Sequence, residues 1–261
     1  MNQKYKLALV TGASSGIGKS FAIKFASLGM DLILVARSKD KLNSLAKELT
    51  HDYNVKAKVI VADLSDENEV MKLYEKTKNE NIDILVNNAG FGEWKAFEQS
   101  DIENNVNMIN LNIKAVYLLT RVFMPSMMKQ HSGIINVASI AGILPAPLYA
   151  TYGATKSFVI QMDEAINFEL KNNKKHKLRL MTLCPGAVKT NFANVATNNS
   201  TKQFEEGMNS EELVEIAWND FLKGKTKSIP GKQNKFFVFV NKLSRNLVGN
   251  TIYKIFKKMV K

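Results

Sequence analysis

A glycine-rich segment between an apolar run and a helical pattern constrains the fold of this chain more than any other feature. The segment Thr11–Gly18 reads TGASSGIG and follows the apolar residues Leu7–Val10. From Ile17 to Leu28 apolar side chains recur at helical spacing, and Gly29 follows where a helix would end. Glycines here let the backbone turn tightly and let a pyrophosphate approach the free amides at the helix start. The segment predicts a strand, a tight turn and a helix, with an anion site at the turn.

The alternation of apolar runs and helical patterns continues along the chain. Runs without polar residues, separated by helices, indicate a parallel sheet buried on both faces. Crossovers between parallel strands are nearly always right-handed. We therefore predict an α/β, Rossmann-like doubly wound parallel sheet in a single domain, with ligands at the carboxyl ends of its strands. The further predicted strands are Leu32–Ala36, Ala57–Val61, Ile82–Val86, Ile134–Val137 and Leu178–Leu183, and the further predicted helices are Lys39–Leu49, Glu67–Lys78, Ile102–Met128, Thr151–Lys171 and one capped by Ser210.

Length and composition restrict the class of protein. A chain of 261 residues suits one α/β domain. The first apolar run is short and leads straight into the glycine-rich segment, so it indicates a strand and no targeting signal. No stretch reaches the roughly 20 apolar residues of a membrane-spanning helix, and we expect a cytoplasmic protein. Cys184 is the only cysteine and the three histidines are scattered, so the sequence predicts neither an internal disulfide nor a metal site.

The net charge of +12 is unevenly distributed. The stretch from Phe221 to Lys261 holds eleven Lys and Arg residues and no Asp or Glu, which leaves about +1 for the rest of the chain. A uniformly basic protein would suggest nucleic acid as a partner, but a basic tail on a nearly neutral body suggests a local role for the tail. We therefore predict no nucleic-acid partner, and we divide the chain into a catalytic domain, residues 1–230, and a basic amphipathic C-terminal extension, residues 231–261.

The extension contains two amphipathic patterns separated by Gly249-Asn250. Such helices can dock on the body of the protein or on a partner subunit with their lysines in water, and a basic amphipathic helix can also lie on an anionic membrane. Both alternatives remain open at this point, so peripheral membrane contact is possible. The first predicted apolar face consists of Phe236, Val240, Leu243 and Leu247, and the second consists of Ile252, Ile255, Phe256 and Met259, opposite Lys254, Lys257, Lys258 and Lys261.

The end of the second strand carries a signal for cofactor choice. Dinucleotide-binding proteins that use NAD usually place an acid here, which bonds the ribose 2′-hydroxyl. This chain has Ala36-Arg37-Ser38 instead. Arg37 can make bidentate contacts to a 2′-phosphate, and we expect no carboxylate near it. The sequence therefore favours NADP(H), with a solvated surface arginine as the alternative.

A tyrosine and a lysine one helical turn apart form the third signal. Tyr152 and Lys156 lie on one face of the helix predicted from Thr151. A free phenol has a pKa near 10, and a nearby ammonium lowers that pKa toward the range useful for proton transfer. Tyr149 lies three residues before Tyr152, but Gly153 stands where its lysine partner would be.

Together these segments resemble the short-chain dehydrogenase/reductase (SDR) family in its classical form. The resemblance covers about residues 5–230, and every motif occurs in the family's order. Ser139 lies thirteen residues before Tyr152, as the family pattern requires. The resemblance rests on Thr11–Gly18, Asp63-Leu64, Asn87–Gly90, Asn110, Ser139, Tyr152, Lys156 and Pro185–Thr190.

The resemblance implies a role for each matched residue. Tyr152 would be the general acid/base, and Ser139 would hydrogen-bond the reacting oxygen. Lys156 would lower the pKa of Tyr152 and hold the nicotinamide ribose, while Asn110 would hold a water that relays protons to Lys156. Asn88 is a cofactor contact or a structural tie between strands. The implied cofactor-binding residues are Gly12, Ser14, Ser15, Gly16, Ile17, Gly18, Arg37, Asp63, Leu64, Asn88, Ala89, Gly90, Tyr152, Lys156, Pro185, Gly186, Val188 and Thr190.

The substrate is less constrained than the chemistry. Apolar residues follow Ser139, and the polar segment Asn191–Asn209 is typical of a mobile loop. The apolar residues Ile143–Leu148, Phe91, Trp94 and Phe192 predict an apolar carbonyl substrate, and an NADPH-dependent carbonyl (3-oxoacyl-like) reductase is the first hypothesis. The alternatives are an NADP-linked alcohol or hydroxysteroid dehydrogenase, a catalytically silent dinucleotide sensor, and a membrane-surface adaptor, which could coexist with catalysis. The resemblance also implies a homodimer or homotetramer, and Cys184 is interpreted as a small buried residue.

Overall fold

A computed structural model describes residues 5–173, 176–190, 192 and 207–257. Its elements follow the predicted alternation of strands and helices along the chain. The strands are β1 Leu7–Thr11, β2 Asp31–Ala36, β3 Ala57–Val61, β4 Ile84–Asn87, β5 Ser132–Val137, β6 Leu178–Leu183, β7 Val188–Lys189, β8 Met208–Asn209 and β9 Lys227–Ser228. The helices are α1 Gly16–Ser27, α2 Lys39–Tyr53, α3 Glu67–Thr77, α4 Ile102–Ile109, α5 Val116–Met127, α6 Ala150–Asn172, α7 Ser210–Leu222, α8 Lys232–Leu243 and α9 Arg245–Lys257.

Seven of these strands form one parallel sheet in the order β3-β2-β1-β4-β5-β6-β9. Strand β1 pairs with both β2 and β4, so the strand order reverses at β1 and leaves a crevice beyond its carboxyl end. This is the predicted doubly wound, Rossmann-like fold, and the prediction is confirmed.

Alternate side chains along each strand enter different cores, because successive side chains point to opposite faces of a sheet. Ala8 and Val10 pack on one face with α1, α2 and α7, whereas Leu9 packs on the other face with α3, α5 and α6. Both faces are therefore covered by helices, which explains why these strands carry almost no polar residues.

The predicted helix Ile102–Met128 is not one regular α-helix. Between α4 and α5, residues Asn110–Ala115 form a π-helical turn. The apolar spacing on either side is typical of an α-helix and gave no sign of this interruption. Such turns are rare and are often found at functional sites.

The helix after residue 209 begins differently from the prediction. Asn209 occupies the N-cap position of α7, and Ser210 is the first helical residue. The Ser210 hydroxyl accepts a hydrogen bond from Ser20 instead of capping the helix. Most of the predicted mobile loop Asn191–Asn209 lies outside the described residues, but Met208–Asn209 pairs with Val188–Lys189 as a two-stranded sheet.

The extension folds into α8 and α9, which contact each other. The predicted break at Gly249-Asn250 is wrong, because Ser244 ends α8 in an extended conformation and its Oγ accepts a bond from Leu247 N at the start of α9. Gly249 instead lies inside α9, where a Cβ would stand 3.3 Å from Pro145. Asn241 Nδ2 donates to the carbonyl oxygen of Ile143 at 3.3 Å. The extension thus packs on the segment after Ser139, and the boundary at residue 230 stays a prediction.

The break at Ser244 also changes the predicted apolar faces. Leu247 lies on α9 and shares no helix face with Phe236, while Val240 and Ile252 are half-buried. The side chains of Phe256, Lys258, Met259 and Lys261 lie outside the described residues. In the described part of the chain, no helix combines the length and apolar character needed to cross a membrane.

Candidate active site

The glycine-rich turn lies at the carboxyl end of β1 and opens α1. Gly12 and Gly16 adopt φ values of +64° and +53°, a region that L-residues other than glycine rarely adopt. A Cβ on Gly18 would stand 2.2 Å from the carbonyl oxygen of Gly12, so the turn and the helix approach each other too closely for a side chain. The N-terminus of α1 is therefore free to receive an anion at close range.

Asn88 ties this turn to the end of β4. Its Nδ2 donates to the carbonyl oxygens of Thr11 and Gly12 at 3.0 and 3.3 Å. The Oγ1 of Thr11 accepts in return from the backbone amides of Asn88 and Ala89 at 2.9 and 3.1 Å. The Asn88 side-chain amide is thus engaged with backbone, which favours the structural alternative for this residue.

Residues after β6 complete the same edge of the sheet. The Ile140 amide donates to the carbonyl oxygen of Pro185 at 2.9 Å, which joins the two loops beyond β5 and β6. Thr190 lies over the glycine-rich turn, since a Cβ on Gly16 would stand 3.0 Å from its Cγ2. Val188 is buried just before it. The structure therefore brings the predicted Pro185–Thr190 segment to the predicted anion site.

The environment of Arg37 differs from the expectation. Its guanidinium lies 3.7 Å from the Asp63 carboxylate, so a carboxylate is nearby after all. The two residues follow the carboxyl ends of the adjacent strands β2 and β3, and the linear sequence does not reveal this pairing. Partial burial raises the pKa of Asp63, but hydrogen bonds from Ser65 and the charge of Arg37 outweigh it and hold the pKa below its usual range. Leu64 is buried beside this pair.

Ser139, Tyr152 and Lys156 converge beyond β5. Ser139 precedes a short 3-10 turn and its Oγ accepts from the Ala141 amide at 3.1 Å. Its hydroxyl donates to the carbonyl oxygen of Pro185 at 3.4 Å, and it lies close enough to the phenol of Tyr152 to lower the pKa of that phenol. Lys156 Nζ donates to the carbonyl oxygen of Val137 at 2.8 Å and lies 5.7 Å from the centre of the Tyr152 ring. The predicted spacing thus produces the predicted cluster.

Burial dominates the protonation of this cluster. Tyr152 is only 7% exposed, and burial raises its pKa although the Ser139 hydroxyl lowers it. Burial also lowers the pKa of Lys156 to about 8. We expected the lysine to lower the phenol's pKa, but burial raises it, and Lys156 Nζ bonds the Val137 carbonyl oxygen instead. The phenol is therefore protonated at physiological pH.

Asn112 was not predicted from the sequence, yet its side chain lies beside Lys156. The residue predicted for that position was Asn110. A Cβ on Gly90 would stand 2.8 Å from Asn112 Oδ1 and 3.4 Å from Lys156 Nζ, so both side chains converge on that glycine. Asn112 Nδ2 donates to the carbonyl oxygen of Phe91 and to Thr155 Oγ1. Within the described residues the Asn110 side chain makes no hydrogen bond. The structure favours Asn112 for the position beside the lysine.

An available signal could have identified Asn112. Met108, Asn112, Ala115, Leu119 and Phe123 follow one another at helical spacing, and all are buried. A polar residue within an otherwise apolar stripe marks a buried polar site, whereas Asn110 lies off that stripe.

Aromatic rings cover the phenol of Tyr152. Tyr149 stacks on it with ring centroids 4.2 Å apart, and Trp94 stacks on the other side of Tyr149 at 5.5 Å. Phe192 contacts Tyr152 at 5.6 Å between centroids. Phe91, Ala146 and Leu148 pack against the same cluster. The predicted apolar surroundings of the reacting carbon are therefore present and largely aromatic.

A buried polar network supports the cluster from below. Asp163 on α6 accepts hydrogen bonds from Asn136 Nδ2 at 2.7 Å and Thr182 Oγ1 at 2.8 Å. Asn136 Oδ1 accepts in turn from Asn87 Nδ2. These bonds join β4, β5, β6 and α6 beneath the site, and burial raises the pKa of Asp163 to about 7.

Cys184 takes no part in this chemistry. It is fully buried at the end of β6, and burial raises the pKa of its thiol to about 12. A thiol that stays protonated is a poor nucleophile. This agrees with the interpretation of Cys184 as a small buried residue.

The site fits a nicotinamide dinucleotide. The cradle at Gly12 and Gly18 leaves no room for a Cβ and exposes helix amides to an anion, as a pyrophosphate requires. The crevice from this cradle to Tyr152 runs along the carboxyl edge of the sheet at the reversal of strand order.

Comparisons with known proteins agree with this geometry. The chain is 37% identical over 172 residues to the very-long-chain 3-oxoacyl-CoA reductase of Anas platyrhynchos, a match that covers 63% of this chain and 55% of that protein. The chain thus spans about half the length of this relative. It is similar to a solved short-chain dehydrogenase from Sphingobium yanoikuyae in complex with NADPH, with 31% identity, a TM-score of 0.80 and coverage of 87% and 88% of the two chains.

A 7β-hydroxysteroid dehydrogenase structure is similar over 97% of this chain and 99% of its own, with 26% identity and a TM-score of 0.84. The family model described as short chain dehydrogenase matches residues 6–201, three quarters of the chain. The protein therefore belongs to the short-chain dehydrogenase family.

Proposed function

We propose that this chain is an NADPH-dependent reductase of apolar carbonyl compounds, with 3-oxoacyl chains as the first substrate class. The observation that carries the proposal is the convergence of a buried, neutral Tyr152 with Ser139 and Lys156 under a set of aromatic rings. A neutral phenol is the form that donates a proton, so this cluster can protonate a carbonyl oxygen during reduction.

Each residue of the site has its own proposed role in the reaction. The cofactor supplies a hydride to the carbonyl carbon when it is bound. Tyr152 donates its proton to the carbonyl oxygen, and Ser139 donates a hydrogen bond to the same oxygen and stabilises its developing charge. The carbonyl becomes an alcohol with one hydride and one proton added. Lys156 and Asn112 lie behind the phenol, where Lys156 returns a proton to it after each turnover.

Preference for NADPH rests on the end of β2. The Arg37 side chain is 72% exposed and turned toward solvent at this edge, where a 2′-phosphate would lie. A guanidinium that faces Asp63 can bind phosphate in a bidentate manner while the carboxylate keeps it oriented. The similar Sphingobium structure contains NADPH, which supports the same choice.

The substrate class rests on the aromatic surroundings and on one relative's name. Phe91 and Phe192, both partly exposed, offer apolar rings beside the reacting phenol. The Anas protein is named for a very-long-chain 3-oxoacyl substrate. An acyl chain would bury its apolar area against these rings, which is favourable at roughly 25 cal/mol per Å².

A hydroxysteroid dehydrogenase is the second candidate. The similarity to a 7β-hydroxysteroid dehydrogenase over nearly the whole chain supports this reading. A dinucleotide sensor is less favoured, because a pure sensor needs no Ser139, Tyr152 and Lys156 cluster.

The first test is absorbance at the nicotinamide band with NADPH and NADH in parallel. The panel contains 3-oxoacyl thioesters of several chain lengths, oxosteroids, simple ketones and aldehydes. Tyr152→Phe removes the proton donor and keeps the ring, and Tyr117→Phe, on the surface of α5, is the matched control.

The reductase proposal would be supported if the wild type turns over a carbonyl with NADPH, Tyr152→Phe abolishes this turnover and Tyr117→Phe preserves it. Faster turnover of oxosteroids than of 3-oxoacyl thioesters would replace the first substrate class with the second candidate. Tight NADPH binding without turnover of any carbonyl would overturn the enzyme proposal in favour of the sensor.

We also propose a homodimer or homotetramer, as the family resemblance implies. Exposed apolar side chains lie on α4 and α6, which contact each other: Ile102, Val106 and Ile109 on α4 and Phe168 on α6. Sedimentation velocity of the wild type and of Ile102→Glu tests the proposal. A monomer in both cases would overturn it.

A further inference from the structure

The extension presents one face to the body and another to solvent. Its inner face contacts the segment after Ser139 through Asn241 and Gly249, and Val248 is buried there. Asn234, on the same helix as Asn241, packs against Gly186, since a Cβ on that glycine would meet its side chain at 2.4 Å. The two helices therefore border both loops that frame the reacting phenol.

The outer face of α8 is unusually apolar for an exposed helix. Phe236, Phe239 and Leu243 follow one another at helical spacing and are 62%, 59% and 73% exposed. Leu247, at the start of α9, is 58% exposed. Single exposed apolar residues are ordinary, but a row of large ones on one helix face marks an interaction surface. We call Phe236, Phe239 and Leu243 the apolar row.

Basic residues accompany the apolar row. Lys232, Lys235 and Lys242 are exposed on the same helix, and Arg245 and Lys254 follow on α9. Residues 232–257 contain no Asp or Glu, and within the described chain none of these five side chains forms a salt bridge. Lys235 lies near enough to Asp220 to lower the pKa of that carboxyl, but no ion pair in the described chain engages any of the five.

We propose that the outer face of α8 docks on a bilayer that contains anionic lipids. Exposed aromatic and aliphatic side chains enter the headgroup and acyl boundary, while lysines beside them attract lipid phosphates, and α8 supplies both on one face. A second copy of the chain is a poorer occupant, because two identical surfaces would bring their lysines together with no acid to compensate them. The exposed apolar residues on α4 and α6 offer a copy another surface.

This docking would bring the segment that follows Ser139 close to the membrane surface. The helix that would touch lipid is the one bonded to Ile143, four residues after Ser139. The proposal does not depend on the substrate class, because binding to vesicles is measured without turnover.

The test is co-sedimentation of the full chain with vesicles of phosphatidylcholine alone or mixed with phosphatidylglycerol. We expect the wild type to pellet with the mixed vesicles, to remain in solution with phosphatidylcholine alone, and to dissociate as salt is raised. The triple variant Lys232→Gln/Lys235→Gln/Lys242→Gln should bind the mixed vesicles at least tenfold more weakly, as should Phe236→Gln/Phe239→Gln.

Matched controls distinguish binding by the outer face of α8 from a general effect of net charge or of exposed aromatic rings. Lys47→Gln/Lys76→Gln/Lys129→Gln removes the same net charge from exposed positions elsewhere, and Phe97→Gln removes an exposed aromatic ring outside the extension. Both should pellet like the wild type. Circular dichroism and turnover of a soluble ketone verify that each variant folds.

Wild-type protein that stays in solution with mixed vesicles would overturn the proposal, as would controls that lose binding equally. A change in sedimentation velocity of Phe236→Gln/Phe239→Gln without vesicles would instead assign the face to a second copy.

Discussion

The ring of Tyr149 lies against the ring of Tyr152, with centroids 4.2 Å apart and an interplanar angle of 21°. Tyr149 therefore occupies space that a substrate carbonyl would share on its way to the phenol. Its hydroxyl lies against Gly92, where a Cβ would stand 2.1 Å away, so the ring is held on that side as well.

We predict that Tyr149 limits the size of the substrate. Tyr149→Ala should raise kcat/KM for bulky ketones relative to small ones, because it removes the ring that covers Tyr152. It should also lower the free energy of unfolding by about 3 kcal/mol, the usual cost of truncating a buried aromatic residue. Tyr149→Phe keeps the ring and should leave the substrate preference unchanged. An unchanged bulky-to-small ratio in Tyr149→Ala would contradict the prediction.

A second prediction concerns Asp163 and the pH dependence of stability. Its pKa is about 7 in the folded protein and about 3.9 in an unfolded chain, so the folded state binds more protons between these values. Stability should therefore fall as pH rises from about 4 to about 7, by a few kcal/mol from this group. Asp163→Asn, a neutral isostere, should lose that dependence, whereas Glu103→Gln on the surface should keep it. Urea unfolding across this pH range measures both, and parallel pH profiles of wild type and Asp163→Asn would refute the assignment.

A third prediction concerns cofactor choice. Arg37→Ala should raise KM for NADPH about tenfold and leave KM for NADH nearly unchanged, because it removes a charge-assisted bond to the 2′-phosphate that is partly screened by solvent. Arg121→Ala, an exposed arginine on α5, is the control and should change neither. Equal effects of Arg37→Ala on the two cofactors would mean that Arg37 is an ordinary surface residue.

A fourth prediction separates Asn112 from Asn110. Asn112→Ala should lower kcat at least tenfold, because it removes the amide beside Lys156 and leaves the buried Phe91 carbonyl and Thr155 hydroxyl without that donor. Asn110→Ala should change kcat less than twofold (about 0.4 kcal/mol). Thermal unfolding of both variants shows whether a loss of activity is only a loss of fold. Loss of activity in Asn110→Ala alone would instead assign the role beside Lys156 to Asn110.

The sequence was sufficient for features that depend on local spacing. The doubly wound sheet, the glycine-rich turn and the shared helix face of Tyr152 and Lys156 were predictable from short-range geometry, whereas the place of Ser139 beside them came from the family resemblance. The contact between Arg37 and Asp63 was not, since it joins the ends of two strands 26 residues apart. Nor was the raised pKa of Tyr152, because burial comes from rings contributed by separate segments.

The errors have a common physical origin. Ser210 and Gly249 follow sequence rules for helix ends, but tertiary contacts decided both positions: Ser210 bonds Ser20, and Gly249 packs on Pro145. Asn110 matched a motif by its neighbours, whereas the structure places Asn112 beside Lys156, and the choice between the two stays a prediction. Local propensity is a weak guide where another segment offers a better partner.

The π-helical turn at Asn110–Ala115 has a consequence for how this site could be altered. A π turn holds one residue more than an α-helical turn, so deletion of Lys114 would let α4 and α5 join as one regular helix, with both flanks in their present phase. Only residues inside the turn, Asn112 among them, would change direction relative to Lys156, because the Ser139–Tyr152–Lys156 cluster lies on other segments. A single-codon deletion could thus uncouple the lysine from its neighbouring amide without changing any side chain of the reacting cluster.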